Sequence, residues 1–99
     1  MSGFIQIHRK ILEWEWYNDK NVFRLFMHLL LQANYKDKRY RGVLLKSGSI
    51  MTGRKILAEQ TGLSIQEVRT ALAKLELTNE ATIKSTKQGT IIQLVNYTK

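Results

Sequence analysis

The stretch LAEQTGLSIQEVRTALAKL, residues 57–75, constrains the fold of this chain more than any other. It reads as two amphipathic helical pieces with too little chain between them for anything but a sharp turn. Thr52 is placed to cap a helix over Gly53 to Thr61, and Gly62 supplies the left-handed residue that ends it. Ser64-Ile65-Gln66-Glu67 follows at once as an S-x-x-E capping box, whose hydroxyl and carboxylate satisfy opposite backbone amides, so a second helix must begin there. A link of only Gly62, Leu63 and Ser64 predicts a helix-turn-helix. Leu57, Ala58 and Leu63 are expected to face Val68, Ala71 and Leu72, with a small residue at 58 where the backbones come close. Ile65, Val68, Ala71, Leu72 and Leu75 then share one side of the second helix, leaving Gln66, Thr70, Ala73 and Lys74 opposite and Arg69 on the flank. That wet side is short, hydrogen-bonding and nearly free of acids, which suits a helix laid in a major groove.

The flanking sequence completes the architecture. Phe4 to Trp16 has Ile7, Ile11, Leu12 and Trp14 near helical spacing and predicts a short first helix. Asn18 or Asp19 can cap a second helix over Lys20 to Asn34, in which Val22, Leu25, Phe26, Leu29, Leu30 and Ala33 form one face. Phe23, Met27 and Leu31 add an adjoining stripe, which makes this helix either central in the fold or half of a subunit contact. Residues 35–48 read as a basic connection with an extended piece over Gly42 to Lys46, followed by a short strand from Ser49 to Met51. ATIKSTKQGTIIQLVNY alternates β-branched and polar residues around a Lys87-Gln88-Gly89 turn, a hairpin pattern. The expected fold is α+β and mainly helical: one winged helix-turn-helix domain over residues 1–99, with an N-terminal helical extension and a C-terminal β-hairpin wing.

Charge gives the domain a partner class. The chain carries +8, and residues 36–55 hold Lys36, Lys38, Arg39, Arg41, Lys46, Arg54 and Lys55 against Asp37 alone. Such a patch points to a polyanion, with a solubilising surface as the plain alternative. Combined with the helix pair and the wing, it predicts binding to DNA, duplex above all. Gln66, Arg69, Thr70 and Lys74 would meet base edges and adjacent phosphates; Ser64, Arg54, Lys55, Lys87 and the loop residues Lys36, Lys38, Arg39 and Arg41 would contact the backbone. Protein recognition through the same surfaces is the rival reading. In it Trp14, Trp16, Phe23, Met27 and Leu31 form a homo-oligomer interface. The tryptophans also suit packing of the first helix on the second, or stacking on single-stranded bases, for which Tyr35 and Tyr40 in the basic loop are better placed.

GFIQIHRKILEWEWYNDKNVFRLFMHLLLQAN, SGSIMTGRKILAEQTGLSIQEVRTALAKL and TIKSTKQGTIIQLVNY together resemble the N-terminal winged-helix region of phage replisome organisers and DnaD-like replication initiation proteins. The resemblance spans nearly the whole chain and includes the tryptophan-rich opening and the NY near the end. It implies a role in starting phage or plasmid replication, with DNA binding or self-association in this region. In that family a separate C-terminal domain contributes to DNA remodelling and to contact with helicase-loading proteins, so the chain reads as either a fragment of a longer initiator or a small stand-alone protein. Asn79 stands where the family commonly has glycine, and asparagine also tolerates a left-handed backbone. Transcriptional regulators share the architecture, and fold does not separate the two roles.

Other chemistries find no support in the residues. Gly48 to Lys55 has the G-x-x-x-x-G spacing of a phosphate loop, but arginine replaces its lysine and Lys55 its metal-binding hydroxyl. His8 and His28 have no nearby Cys or Asp partners, and no nucleophile, base and orienting residue can be named together, so neither a metal, a cofactor nor an enzyme activity is expected. The chain has no cysteine, which predicts a reducing intracellular compartment, and no apolar run long enough for a bilayer, so a soluble cytoplasmic protein is expected.

Overall fold

The computed structural model describes residues 7–95. Leu25, Leu29, Leu57, Leu72, Leu75 and Ile92 are almost completely removed from solvent and belong to one apolar cluster, which every α-helix and the sheet feed. Asp19 opens α1, Lys20–Gln32, by accepting the Val22 N–H at 3.2 Å. Val22, Leu25 and Leu29 then recur on its inner face. At the far end Ala33 turns extended, and Asn34 hooks the chain back: its N–H donates to the Ser49 carbonyl at 3.0 Å and its carbonyl accepts the Gly48 N–H at 2.7 Å.

The connection after α1 is more ordered than a basic loop with one extended piece. β1, Lys38–Tyr40, pairs antiparallel with β2, Val43–Leu45, around an Arg41-Gly42 turn with φ of +50° and +81°. Two positive φ values belong to a type I′ turn, whose usual first residue is asparagine, aspartate or glycine; arginine there conceals the hairpin from a sequence reading.

α2, Arg54–Thr61, and α3, Ile65–Leu77, form the expected corner. Gly62 ends α2 with φ +79°, and the capping box is present in both directions, Glu67 N–H to Ser64 Oγ at 3.0 Å and Ser64 N–H to Glu67 Oε1 at 2.9 Å. Buried Thr61 braces the corner, its hydroxyl donating to the Leu57 carbonyl at 2.7 Å while accepting the Leu63 N–H at 3.3 Å. Arg24 of α1 adds a C-terminal cap across the fold by donating Nε to the Thr61 carbonyl at 3.1 Å. The N-cap of α2 is Gly53 and not Thr52. Thr52 is instead the buried last residue of β3, Ser49–Thr52, paired with Thr90, so sheet pairing takes the side chain from the helix start.

α3 ends in a Schellman arrangement. Asn79 is left-handed at φ +62°, its N–H reaches the Glu76 carbonyl at 3.1 Å, and the Glu80 N–H reaches the Leu75 carbonyl at 2.8 Å. The chain then enters β4, Ala81–Thr86, and returns as β5, Gly89–Leu94. β5 lies between β4 and β3, all antiparallel, so the sheet closes over the helices and the β4–β5 turn projects as a wing. The fold is a winged helix of the α+β class.

The N-terminal segment departs from expectation. Phe4 to Gln6 lie outside the described residues, and the remainder of the expected helix is a single 3-10 turn, Arg9–Glu13, with Leu12 exposed. Beyond that turn the chain is held by indole N–H bonds. Trp14 donates to Glu80 Oε2 and Trp16 to Thr78 Oγ1, both at 2.9 Å, and the Trp14 ring lies 4.7 Å from that of Phe26. Both tryptophans thus strap the chain to the end of α3, because a half-buried indole needs a partner for its N–H. Both indoles stay half-buried in this strap. Phe23 packs on Tyr17 with ring centres 5.4 Å apart, Met27 is half-buried, and Leu31 alone of the stripe is widely open, at 65% exposure.

An added Cβ at Gly62 meets nothing within 4 Å, so Gly62→Ala tests the left-handed backbone without a clash. The substitution is expected to cost about 1 kcal/mol, lowering the melting temperature by about 4–8 °C in a chain of this size. Thermal unfolding by circular dichroism checks it, and an unchanged midpoint would deny the join its role.

Candidate nucleic-acid interface

Four elements contribute to the surface around α3. Its inner stripe of Val68, Ala71, Leu72 and Leu75 is buried, which turns Gln66, Arg69, Thr70 and Ala73 outward, all exposed. Gln66 Nε2 lies 3.3 Å from Thr70 Oγ1, one helical turn on, so the two polar side chains form a small platform. Glu67 is occupied by the cap and Ser64 accepts its amide in return. Ile65 departs from the expected dry side and is half-exposed at the entrance to the helix. Leu77, at the other end, is 77% exposed.

On one flank α3 faces the wing across a groove lined by Arg54, Arg69, Leu72, Ala73, Glu76 and Ile83. Arg54 and Arg69 therefore come together although the sequence separates them. Lys55 is exposed beside Arg54 at the start of α2, where no side chain caps the first amides. The wing root is pinned to the same place: a Cβ on Gly89, at φ +143°, would sit 3.1 Å from the Thr52 carbonyl. Lys87 is exposed in the wing turn, two residues before Gly89. Lys84 was not among the expected site residues. It is exposed on β4, but it neighbours inward-packed Ile83 and so points to the sheet face away from α3. Glu76, also unforeseen, places one carboxylate in the groove.

On the other flank lies Lys74, which has a partner within the fold. Lys74 Nζ bonds Asp19 Oδ2 at 2.7 Å and stands 5.5 Å from the centre of the Trp16 ring. The Lys74 hydrogen bond, against some opposition from burial and with help from the Val22 N–H, holds the Asp19 carboxyl below the ordinary aspartate range. Lys74 thus joins α3 to the start of α1, while 38% of its side chain stays accessible.

Lys36, Lys38, Arg39 and Arg41 are exposed but do not join the groove. Their hairpin meets β3 at its beginning, next to Gly48 and Ser49, whereas the wing turn adjoins its end at Thr52. The candidate residues thus separate into a groove set and a hairpin set. The histidines serve locally: His8 Nδ1 accepts the Lys10 N–H at 3.0 Å, and His28 Nε2 pairs with Gln60 Oε1 at 2.9 Å. Among the described residues no group of three His, Cys, Asp or Glu stands ready for a metal, and no helix is long and apolar enough to cross a membrane.

No family model matches this chain, and no curated protein matches it. Among solved structures it is similar to TubR bound to 24 bp of tubC from Bacillus thuringiensis serovar israelensis pBtoxis, with a TM-score of 0.57 and 13% identity over 95% of this chain and 87% of that one. At that identity the likeness is one of fold, and it is to a winged helix.

The Lys74–Asp19 pair makes a pH-dependent contribution to stability. Because the folded Asp19 value is depressed, this contribution is present above the unfolded value near 3.8 and lost as pH falls through the lower folded one. Lys74→Ala is expected to cost roughly 0.5–1 kcal/mol at neutral pH, and the urea-unfolding curves of variant and parent should converge in acid. Curves that stay parallel down to that range would refute the ion pair as the cause.

Proposed function

We propose that this chain binds duplex DNA by setting α3 in the major groove. The observation that carries the reading is the exposed Gln66, Arg69 and Thr70 surface of α3, with Arg54 lining the same groove as Arg69 and with Lys55 and Lys87 exposed at the start of α2 and in the wing turn. Gln66 and Arg69 have the donor and acceptor geometry to read adenine and guanine edges. Arg54, Lys55 and Lys87 suit phosphates on either side, and the uncapped amides at the start of α2 add a favourable dipole. Among the described residues the one ion pair is Lys74 with Asp19, so none of these cations is neutralised within the fold. TubR, with a similar fold, was seen bound to DNA, which supports the same partner class here.

Of the roles open to such a domain we favour a site-specific regulator of transcription, since the fold neighbour sits on a short defined DNA segment. The start of phage or plasmid replication rests on the sequence resemblance alone and would add contact with helicase-loading proteins. A homo-oligomer would bring two α3 helices to paired half-sites. Trp14, Trp16, Phe23, Met27 and Leu31 are its candidate surface, with the indoles half-buried and Leu31 the most open.

Selection from a random duplex library followed by anisotropy titration tests the reading. Gln66→Ala or Arg69→Ala should reduce discrimination between selected and scrambled duplex by roughly 1–3 kcal/mol. Lys87→Ala should weaken both about equally and make the salt slope shallower by about 0.9. Affinity no better than about 10⁻⁴ to 10⁻⁶ M on every duplex, the nonspecific range, would refute site-specific recognition.

A further inference from the structure

The β1–β2 hairpin is a second concentration of charge that the α3 groove does not use. Lys36, Lys38, Arg39, Arg41 and Lys46 are all exposed, and the sole acid among them, Asp37, directs its carboxylate to the Ser47 N–H at 2.8 Å. Among the described residues none of the five cations is paired. A merely solubilising surface intersperses both signs, since clustered like charges repel. Here five cations stand on one short hairpin with Asp37 as the only carboxylate among them.

The turn points the same way. Its first residue needs a left-handed backbone, which asparagine, aspartate or glycine supplies most easily, yet Arg41 occupies it at φ +50°. The chain gives up turn stability and gains a guanidinium at the tip. Each end of the hairpin also pairs a cation with an open aromatic ring: Arg41 lies 5.5 Å from the centre of Tyr40, and Lys36 5.7 Å from that of Tyr35.

The element is also anchored. Leu45 is only 3% exposed, and the Asn34 bonds to Gly48 and Ser49 fix the hairpin's root. That root lies at the start of β3 and the wing at its end, roughly 10 Å of strand apart before either hairpin adds its own reach. Hairpin and wing therefore spring from opposite ends of one strand.

We propose that the β1–β2 hairpin is a second DNA grip, holding the phosphodiester backbone outside the segment covered by α3 and the wing. This rests on the duplex-binding reading above and extends its footprint. The lengthened contact would supply affinity without base preference, since backbone contacts carry no sequence information.

The test uses the full chain and the variant Lys38→Gln/Arg39→Gln/Arg41→Asn. Asparagine before Gly42 restores the favoured turn, so the variant is expected to match or exceed the parent melting temperature, which thermal unfolding verifies first. Both proteins are titrated over a salt series on the selected sequence, placed in duplexes of about 12 and about 30 base pairs, roughly 40 and 100 Å long at 3.4 Å per step. The parent should bind the longer duplex more tightly and with a steeper salt slope. The variant should lose that length advantage, with a slope on the longer duplex shallower by about 2.7 for three contacts. Gln66→Ala should keep the length advantage while losing sequence preference. If the variant matches the parent on both lengths, the second grip is refuted while the groove reading stands; if the parent binds neither duplex, both fall. Binding of the parent to phosphatidylserine vesicles that the variant abolishes, with DNA affinity unchanged, would reassign the hairpin to membrane phosphates and overturn the proposal.

Discussion

The dry seam where Leu25 and Leu29 of α1 meet Leu57, Val68, Leu72 and Leu75 governs everything else in this fold. A helix has a fixed angular relation between its faces, so burying Val68, Ala71, Leu72 and Leu75 leaves Gln66, Thr70 and Ala73 no choice but to face out. The Gly62 turn and the Thr61 hydroxyl hold α2 at the angle that keeps the seam closed. The presented surface is thus a by-product of packing on the opposite side.

What is local was legible, and what is distant was not. The capping box and the left-handed Gly62 and Asn79 depend on residues a few positions apart, and each stands where the pattern puts it; the expected Lys87-Gln88-Gly89 turn tightens to Lys87 and Gln88, because Gly89 already pairs with Thr86 as the first residue of β5. The N-terminal segment depends on Trp14 and Trp16 reaching partners 66 and 62 positions away, so its helical spacing misled: tertiary hydrogen bonds replaced a regular helix with a single turn. Lys74 sits at the right angle on the helix wheel for a contact surface, but Asp19, 55 positions earlier, claims it. Thr52 has a good capping side chain, but its pairing with Thr90 in the sheet prevailed. Arg41 hid a hairpin because it occupies a position that other residues usually fill.

The cations show the same division between pattern and place. Along the chain residues 36–55 form one basic stretch, but β3 runs through it and sends its two halves to opposite ends of a strand. Arg54 joins Arg69, which comes from a distant segment, while Lys38 to Arg41 stand on their own hairpin. A linear count of charge measures the attraction to a polyanion; only the sheet order says how many separate surfaces share it.

The two indole bonds make the end of α3 observable by light. Trp14 and Trp16 are the only tryptophans in the chain, and both donate to residues in the turn after this helix, Glu80 and Thr78. Intrinsic tryptophan emission therefore originates within one small neighbourhood and reports whether the N-terminal strap is seated there. The wing and the basic hairpin are built from other segments, so the molecule carries an optical gauge of its own closure.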